Sequence, residues 1–197
     1  MAKLASTLLV AGLILIAGVS VGTSAFTTAD IDRQANVDVV ADDTGLLGLT
    51  DGNSGNLVFQ NTDDQLEIDF TKGNASGANT DALFTLGDGA NPSVSQAFII
   101  TNNDAETHTI NATYNADTND AGDTDDLKFE IYDDSDTLVG TVSAAGDTAS
   151  LDAAAGESYN VVVTVNTGHD GATVLKSGDD LSGTLEFRID DTQTGGN

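Results

Sequence analysis

The stretch Tyr-Asn-Val-Val-Val-Thr-Val at positions 159–165 carries apolar side chains at every second position. A period of two is typical of a β-strand with one face turned toward a core. Gln65–Phe70 and Leu185–Ile189 repeat the pattern. These three segments predict antiparallel sheets that each bury one face. The side of the quoted strand that is expected to be buried carries Tyr159, Val161, Val163 and Val165.

Further short strands are predicted on both sides of these segments, and no long stretch shows the 3.6-residue period of a helix. Loops rich in Asp, Asn, Gly, Ser and Thr separate them, as in Asn115–Asp126. The expected class is all-β, with a single jelly-roll-like antiparallel β-sandwich. A short helical turn is also expected at Asp152–Glu157, capped by Asp152. The additional strands are Leu57–Gln60, Ala82–Leu86, Val94–Thr101, His108–Tyr114, Leu127–Tyr132, Leu138–Ser143 and Thr148–Leu151.

The composition is strongly acidic. Asp and Glu outnumber Lys and Arg by 32 to 6, which leaves a formal net charge of −26. Such a charge repels nucleic acid and anionic lipid, so neither is expected as a partner. Molar salt screens the repulsion between carboxylates, so an excess of short carboxylates with few lysines suits a protein that works in concentrated salt. We therefore expect a halophilic protein.

The first 25 residues resemble a secretory signal peptide. Lys3 precedes an apolar run, and small residues follow at 22–25, which predicts cleavage between Ala25 and Phe26. An uncleaved membrane anchor or a pilin-type leader cut near Lys3 is the alternative. The expected organisation is a signal peptide (1–25), an N-terminal strand segment (26–44) and the sandwich (45–197), in a protein exported to the cell surface and clear of the membrane after cleavage.

The segment Ile31–Val40 alternates weakly after the cleavage site. Such a terminal strand can pair with its own sheet or with the sheet edge of another molecule. From the pattern alone, pairing within the same molecule is the simpler expectation. The residues that share one face are Ile31, Arg33, Ala35, Val37 and Val39.

Several short motifs resemble the TasA/camelysin-like secreted fibre proteins and their haloarchaeal relatives. They are Ala25-Phe26-Thr27 at the cleavage junction, Val39–Asp43, the strand 97–103 that ends in Thr101-Asn102-Asn103, and the Gly156-Glu157-Ser158 turn before the valine strand. The resemblance implies a jelly-roll subunit that polymerises by donor-strand exchange into extracellular fibres. It also implies that Ile31–Val40 is the donor strand.

Calcium is the only cofactor that the sequence suggests. Asp117, Asn119 and Asp123 lie in a loop that approximates a calcium-binding loop, although Ala121 replaces a ligand and Lys128 stands where a bidentate Glu belongs. Asp133, Asp134 and Asp136 form a second acidic group. In so acidic a chain, a solvated acidic loop is the favoured explanation of both groups.

Glycosylation is suggested by two Asn-x-Ser/Thr motifs, which begin at Asn74 and Asn111. Asn74 is the better candidate, because Asn111 lies in a predicted strand.

No catalytic machinery is expected. The chain has no Cys, and His108 and His169 are far apart and outside any zinc-binding motif. We therefore do not expect an enzyme, and the resemblance to the fibre proteins implies a structural subunit of an extracellular filament or biofilm matrix that forms a homo-polymer. The alternative is a monomeric cell-surface sandwich that binds a glycan or a cation.

Removal of salt provides a test of the halophilic expectation. In dilute buffer the carboxylates repel one another over tens of ångströms, about 30 Å at 0.01 M salt, so the protein should unfold or swell. Circular dichroism during dialysis from molar salt should show loss of the β-sheet spectrum. A spectrum that is unchanged in dilute buffer would contradict the expectation.

Overall fold

The computed structural model describes residues 41–117, 126–172, 174–176 and 179–190, and it is built almost wholly from antiparallel strands. The predicted all-β class is thereby confirmed, while the predicted signal helix lies outside the described residues. A short 3-10 turn spans His169–Gly171. The strands are β1 (Leu47–Asp51), β2 (Val58–Gln60), β3 (Leu66–Ile68), β4 (Leu83–Leu86), β5 (Phe98–Asn102), β6 (His108–Ala116), β7 (Leu127–Tyr132), β8 (Leu138–Ser143), β9 (Thr148–Ala153), β10 (Ser158–Asn166) and β11 (Gly183–Ile189).

Two sheets and a hairpin organise these strands. The large sheet has the order β1-β5-β10-β7-β8, with β4 also paired to β10. The small sheet has the order β11-β6-β9, and β2 and β3 form a separate hairpin. Every pairing is antiparallel.

Strand β10 lies at the centre of the large sheet. Its residues 160–165 pair with β7 on one edge. The opposite edge is shared, because residues 158–161 pair with β5 and residues 163–166 pair with β4. β4 and β5 therefore act as one strand interrupted by the loop 87–97.

The core lies between the large and small sheets. The inward row predicted for β10 is buried, with Val161 at 1% and Val163 at 0% exposure. The ring of Phe98 on β5 meets that of Phe187 on β11 with centroids 6.5 Å apart. Sheet-on-sheet packing thus buries the apolar face that each alternating strand presents.

One side of the sandwich is closed where β8 meets β9. The two strands belong to different sheets and are joined by the short connection 144–147. A Cβ added to Gly140 would lie only 2.7 Å from the Cβ of Ala149, so the two strands are in close contact. A larger residue at position 140 would force these edges apart.

Two sequence predictions are wrong in detail. Val94–Thr101 is not strand throughout, because Val94 belongs to the loop before β5 and is 69% exposed. That loop covers the outer face of the large sheet, where Val162 is buried. The helical turn at Asp152–Glu157 is also wrong, since β9 continues to Ala153 and the carboxylate of Glu157 accepts a hydrogen bond from the Ala154 N–H at 2.7 Å.

Strand β1 was not predicted from the sequence. Its Leu-Gly-Leu-Thr-Asp segment has only two apolar side chains and a glycine between them. Gly48 leaves room for the Asn103 side chain, whose nitrogen would lie 2.6 Å from a Cβ at position 48 and would have to move. Pairing with β5 stabilises the strand, and this pairing is invisible to a local pattern.

Asn102 joins both sheets at one end of the sandwich. Its side chain is buried, and the two hydrogens of its Nδ2 are shared among the carbonyl oxygens of Glu106, Ala153 and Ala154, which lie at 2.8–3.0 Å. Its Oδ1 accepts from the N–H of Asp104 at 3.0 Å. The amide thus satisfies backbone groups that would otherwise be buried without partners.

We predict that Asn102→Asp destabilises the protein by about 3 kcal/mol or more, because a carboxylate cannot donate to three carbonyls and is costly to bury. Denaturant unfolding in molar salt measures this change. Asn103→Asp is the matched control, since it adds the same charge but removes one exposed bond, from Asn103 Nδ2 to Gly45 O. Equal losses in the two variants would contradict the prediction.

Candidate functional site: a cavity between two strand edges

The sandwich is open on the side opposite the β8–β9 contact. The large sheet is wider than the small sheet, which ends at β11 opposite β5. Beyond β11, the β2–β3 hairpin lies against β1. A cavity of about 860 Å³ separates β11 from β3.

The floor of this cavity is the apolar interior of the sandwich. Phe98, Phe129 and Val165 of the large sheet line it, although each is almost fully buried. Tyr114 of the small sheet and Leu49 of β1 complete the floor. The cavity is thus continuous with the core.

Both side walls carry half-buried apolar side chains. On one wall stand Leu185 and Phe187 of β11, and on the other stand Leu66 and Ile68 of β3. By contrast, the inward side chains of β6 and β9 are buried, as Ala112 on β6 shows at 0% exposure. The two walls therefore keep apolar surface that no described residue covers fully.

The outer edge of β11 faces this cavity. The N–H of Asp190 donates to Thr109 O, and that of Asp117 donates to Ser182 O, so the even-numbered residues of β11 bond to β6. In an antiparallel ladder, alternate residues direct their N–H and C=O groups to opposite edges. The residues that direct theirs outward are Gly183, Leu185, Phe187 and Ile189, and no strand of the described chain pairs with them.

Tyr114 holds the start of β11 in place. Its hydroxyl donates to the carbonyl of Leu181 at 2.5 Å, and its ring lies against Gly183. A Cβ at position 183 would come within 2.4–2.6 Å of Asn115 O and the Tyr114 ring, so only glycine fits. Burial raises the pKa of the Tyr114 hydroxyl to about 12, and the charges of Asp117 and Asp180 add to the effect.

The predicted calcium loop is only partly described. Asp117 is exposed and forms a backbone hydrogen bond to Ser182, whereas Asn119 and Asp123 lie outside the described residues. The described residues contain no group of three or more acidic or histidine side chains placed to hold a metal ion. In the second acidic group, Asp133 Oδ1 accepts from the N–H groups of Ser135 and Thr137, so this carboxylate closes a turn.

The two histidines each have an acidic neighbour. His108 Nε2 lies 2.6 Å from Asp104 Oδ2 at the start of β6, and this contact lowers the pKa of Asp104. His169 Nε2 lies 3.5 Å from Asp170 Oδ2 in an exposed turn. Neither histidine lines the cavity.

The remaining sequence-predicted positions have different environments. Asn74 is exposed in an irregular segment whose following residues, 76–80, line the cavity. Asn111 is half-buried on the outer face of β6. The cleavage site at Ala25 and Phe26 and the proposed donor residues Ile31, Arg33, Ala35, Val37 and Val39 lie outside the described residues. In the part of the chain that is described, no helix is long and apolar enough to cross a membrane.

Comparison of the sequence with models of protein families gives no match, and comparison with curated proteins gives none.

Tyrosine ionisation reports on burial in the sandwich, and Tyr114 is the tyrosine that lines the cavity. The folded-state pKa values of Tyr114 and Tyr159 are raised from 10.0 to about 12, because burial disfavours the phenolate. The native state therefore keeps its stability up to about pH 10 and loses it as the pH rises toward 12, where the unfolded chain ionises first. Burial also raises the pKa of Tyr132, so a spectrophotometric titration in molar salt should show all three tyrosines ionising above pH 10, with Tyr114 and Tyr159 near pH 12. Tyr114→Phe should remove one of these late ionisations, and ionisation of all three near pH 10 in the folded protein would contradict the prediction.

Proposed function

We propose that this protein is a secreted structural subunit of an extracellular filament or biofilm matrix, and that it assembles by donor-strand exchange. The N-terminal segment Ile31–Val40 of one copy would enter the cavity of another. The observation that carries the proposal is the outer edge of β11, which opens onto a cavity lined by core residues.

The chemistry of strand addition fits this cavity. An added strand forms main-chain hydrogen bonds with an exposed sheet edge, and its alternate side chains enter the interior. The outward groups of β11 supply the first requirement, and the apolar floor supplies the second. Entry of a strand would also complete the burial of Leu185 and Phe187, and removal of apolar surface stabilises the complex by roughly 25 cal/mol per Å².

The position of the donor segment supports the same proposal. The described chain begins at Ala41, and Asp42 already lines the cavity. The main chain of Asp42 is fixed by hydrogen bonds to Asp64 and Leu49. In the proposed assembly, Ile31–Val40, which directly precedes Ala41 in the sequence, would extend from this rim into the cavity of another copy. As an extended strand it would span about 33 Å, longer than the roughly 23 Å of the seven residues of β11.

Head-to-tail exchange leads to a filament. The donated segment and the accepting cavity are different surfaces of one molecule, so each added copy presents a new acceptor. Such an interface does not close on itself unless the rotation between copies forms a ring. The strong negative charge would limit the growth of filaments to salt concentrations that screen it.

A monomeric binding module is the second candidate. The cavity volume of about 860 Å³ lies within the usual range for small-molecule sites, roughly 300–1,000 Å³. Acidic and apolar groups both line it, so a glycan or a small amphipathic ligand would be the class bound.

Deletion of residues 31–40 tests the main proposal. The secreted full chain should form high-order species in molar salt, visible by electron microscopy and sedimentation. The deletion variant should remain folded and monomeric by circular dichroism and sedimentation. A mature protein that stays monomeric at high concentration would overturn the filament proposal and favour the binding module.

Matched point variants separate the donor face from general charge effects. Val37→Asp places a carboxylate on the face expected to enter the cavity, and Asn36→Asp adds the same charge on the opposite face. We expect Val37→Asp to abolish polymers and Asn36→Asp to leave them. Equal effects would show that charge, and not strand insertion, controls assembly.

A further inference from the structure

The geometry points to the outer edge of β11 as the acceptor of the donor strand, with Ile31–Val40 of a second copy hydrogen-bonded to Gly183, Leu185, Phe187 and Ile189. This inference rests on the proposed function and specifies its interface. Of the other strand edges, those of β1, β8, β9 and β3 are obstructed by described contacts, and β2 and β4 are only three and four residues long.

The edge of β1 is occupied at its middle. In the β1–β5 ladder the even-numbered residues of β1 bond to β5, so Leu49 directs its groups outward. The N–H of Leu49 donates to Asp42 O at 2.7 Å, and its carbonyl accepts from Gln60 Nε2 at 2.7 Å. A strand added to β1 would have to displace both contacts.

The edge of β8 is irregular. Tyr132 pairs with Leu138 and Ile131 with Gly140, so Val139 is an extra residue that bulges from the strand. A bulge of this kind interrupts the ladder and is a common protection of edge strands.

The edges of β9 and β3 are also engaged. On β9, the carbonyl of Asp152 accepts a hydrogen bond from the Tyr159 hydroxyl, and Ala149 packs against β8. β3 has only three residues, and the N–H of Leu66 donates to Asp42 Oδ2 at 2.8 Å. No corresponding contact from a described residue occupies the outer edge of β11, which is seven residues long.

The odd-numbered residues of β11 determine which side chains of the donor strand would enter the cavity. The residues that direct hydrogen-bonding groups outward also direct side chains toward the cavity, as the cavity lining shows for Leu185 and Phe187. In an antiparallel pair, residues directly opposite each other share a face. The donor row containing Ile31, Ala35, Val37 and Val39 would thus enter the apolar interior, and Arg33 would meet the carboxylates at the cavity rim, such as Asp69 and Asp179.

Engineered cysteines test this edge, because the chain has no cysteine of its own. One population carries a cysteine on the outward face of the donor, at Gln34→Cys, Asn36→Cys or Asp38→Cys in turn. The other carries Glu186→Cys on the exposed outer face of β11. The two are mixed as subunits, assembled in molar salt and oxidised mildly, and disulfide-linked dimers are measured by non-reducing electrophoresis and mass spectrometry.

Cysteines on the other edges are the matched controls. Val139→Cys reports on β8, and Thr50→Cys reports on β1, and both positions are exposed. Disulfides need Cα atoms roughly 4.4–6.8 Å apart, so at least one donor position should link to Glu186→Cys at about tenfold the yield of either control.

The outcomes separate this inference from the proposed function. Filaments that link mainly through Val139→Cys or Thr50→Cys would overturn the β11 assignment while leaving strand exchange intact. Loss of all filaments and links would overturn both. A chain with both Asn36→Cys and Glu186→Cys that links only to itself would show that the segment fills its own cavity, which overturns the assignment to a second copy.

Discussion

The packing of β10 against the small sheet is the constraint on which the structure depends. β10 is hydrogen-bonded along both edges, by β7 on one and by β4 and β5 on the other. Its inward side chains are buried from Tyr159 to Val165. Because both edges are satisfied, its inward row holds a fixed position, and the strands of both sheets pack around it.

The two sides of the sandwich differ because the sheets differ in width. On one side β8 and β9 come into contact through Gly140 and Ala149, and the core is closed. On the other side the small sheet ends at β11, and the β2–β3 hairpin lies against β1 without pairing to it. The half-buried Leu66, Ile68, Leu185 and Phe187 are the consequence. The two sides of the sandwich are therefore not equivalent, since one is closed by strand contact and the other is open.

Many of the aspartates do more than solvate the surface. Hydrogen bonds from Thr71, from Ala90 and Asn91, and from Ser182 lower the pKa values of Asp69, Asp88 and Asp180. Each carboxylate closes the turn in which it lies. These pKa values are depressed in the folded state, so the contribution of the carboxylates to stability is present at neutral pH and is lost as the pH falls through them. Part of the acidic composition therefore serves to close the turns between short strands.

The sequence by itself determined the fold class and the position of most strands. Alternation at Tyr159–Val165 and Leu185–Ile189 is a local property, because the side chains of a strand point to opposite faces in turn. It also placed Asp152–Glu157 in a helical turn, which the pairing of β9 with β6 overrides. The cavity could not be predicted from the sequence pattern, since Leu66 of β3 and Phe187 of β11 are far apart in the chain. Whether a strand edge is paired, bulged or open depends on contacts between distant segments, and only the tertiary structure decided that the edge of β11 faces a cavity.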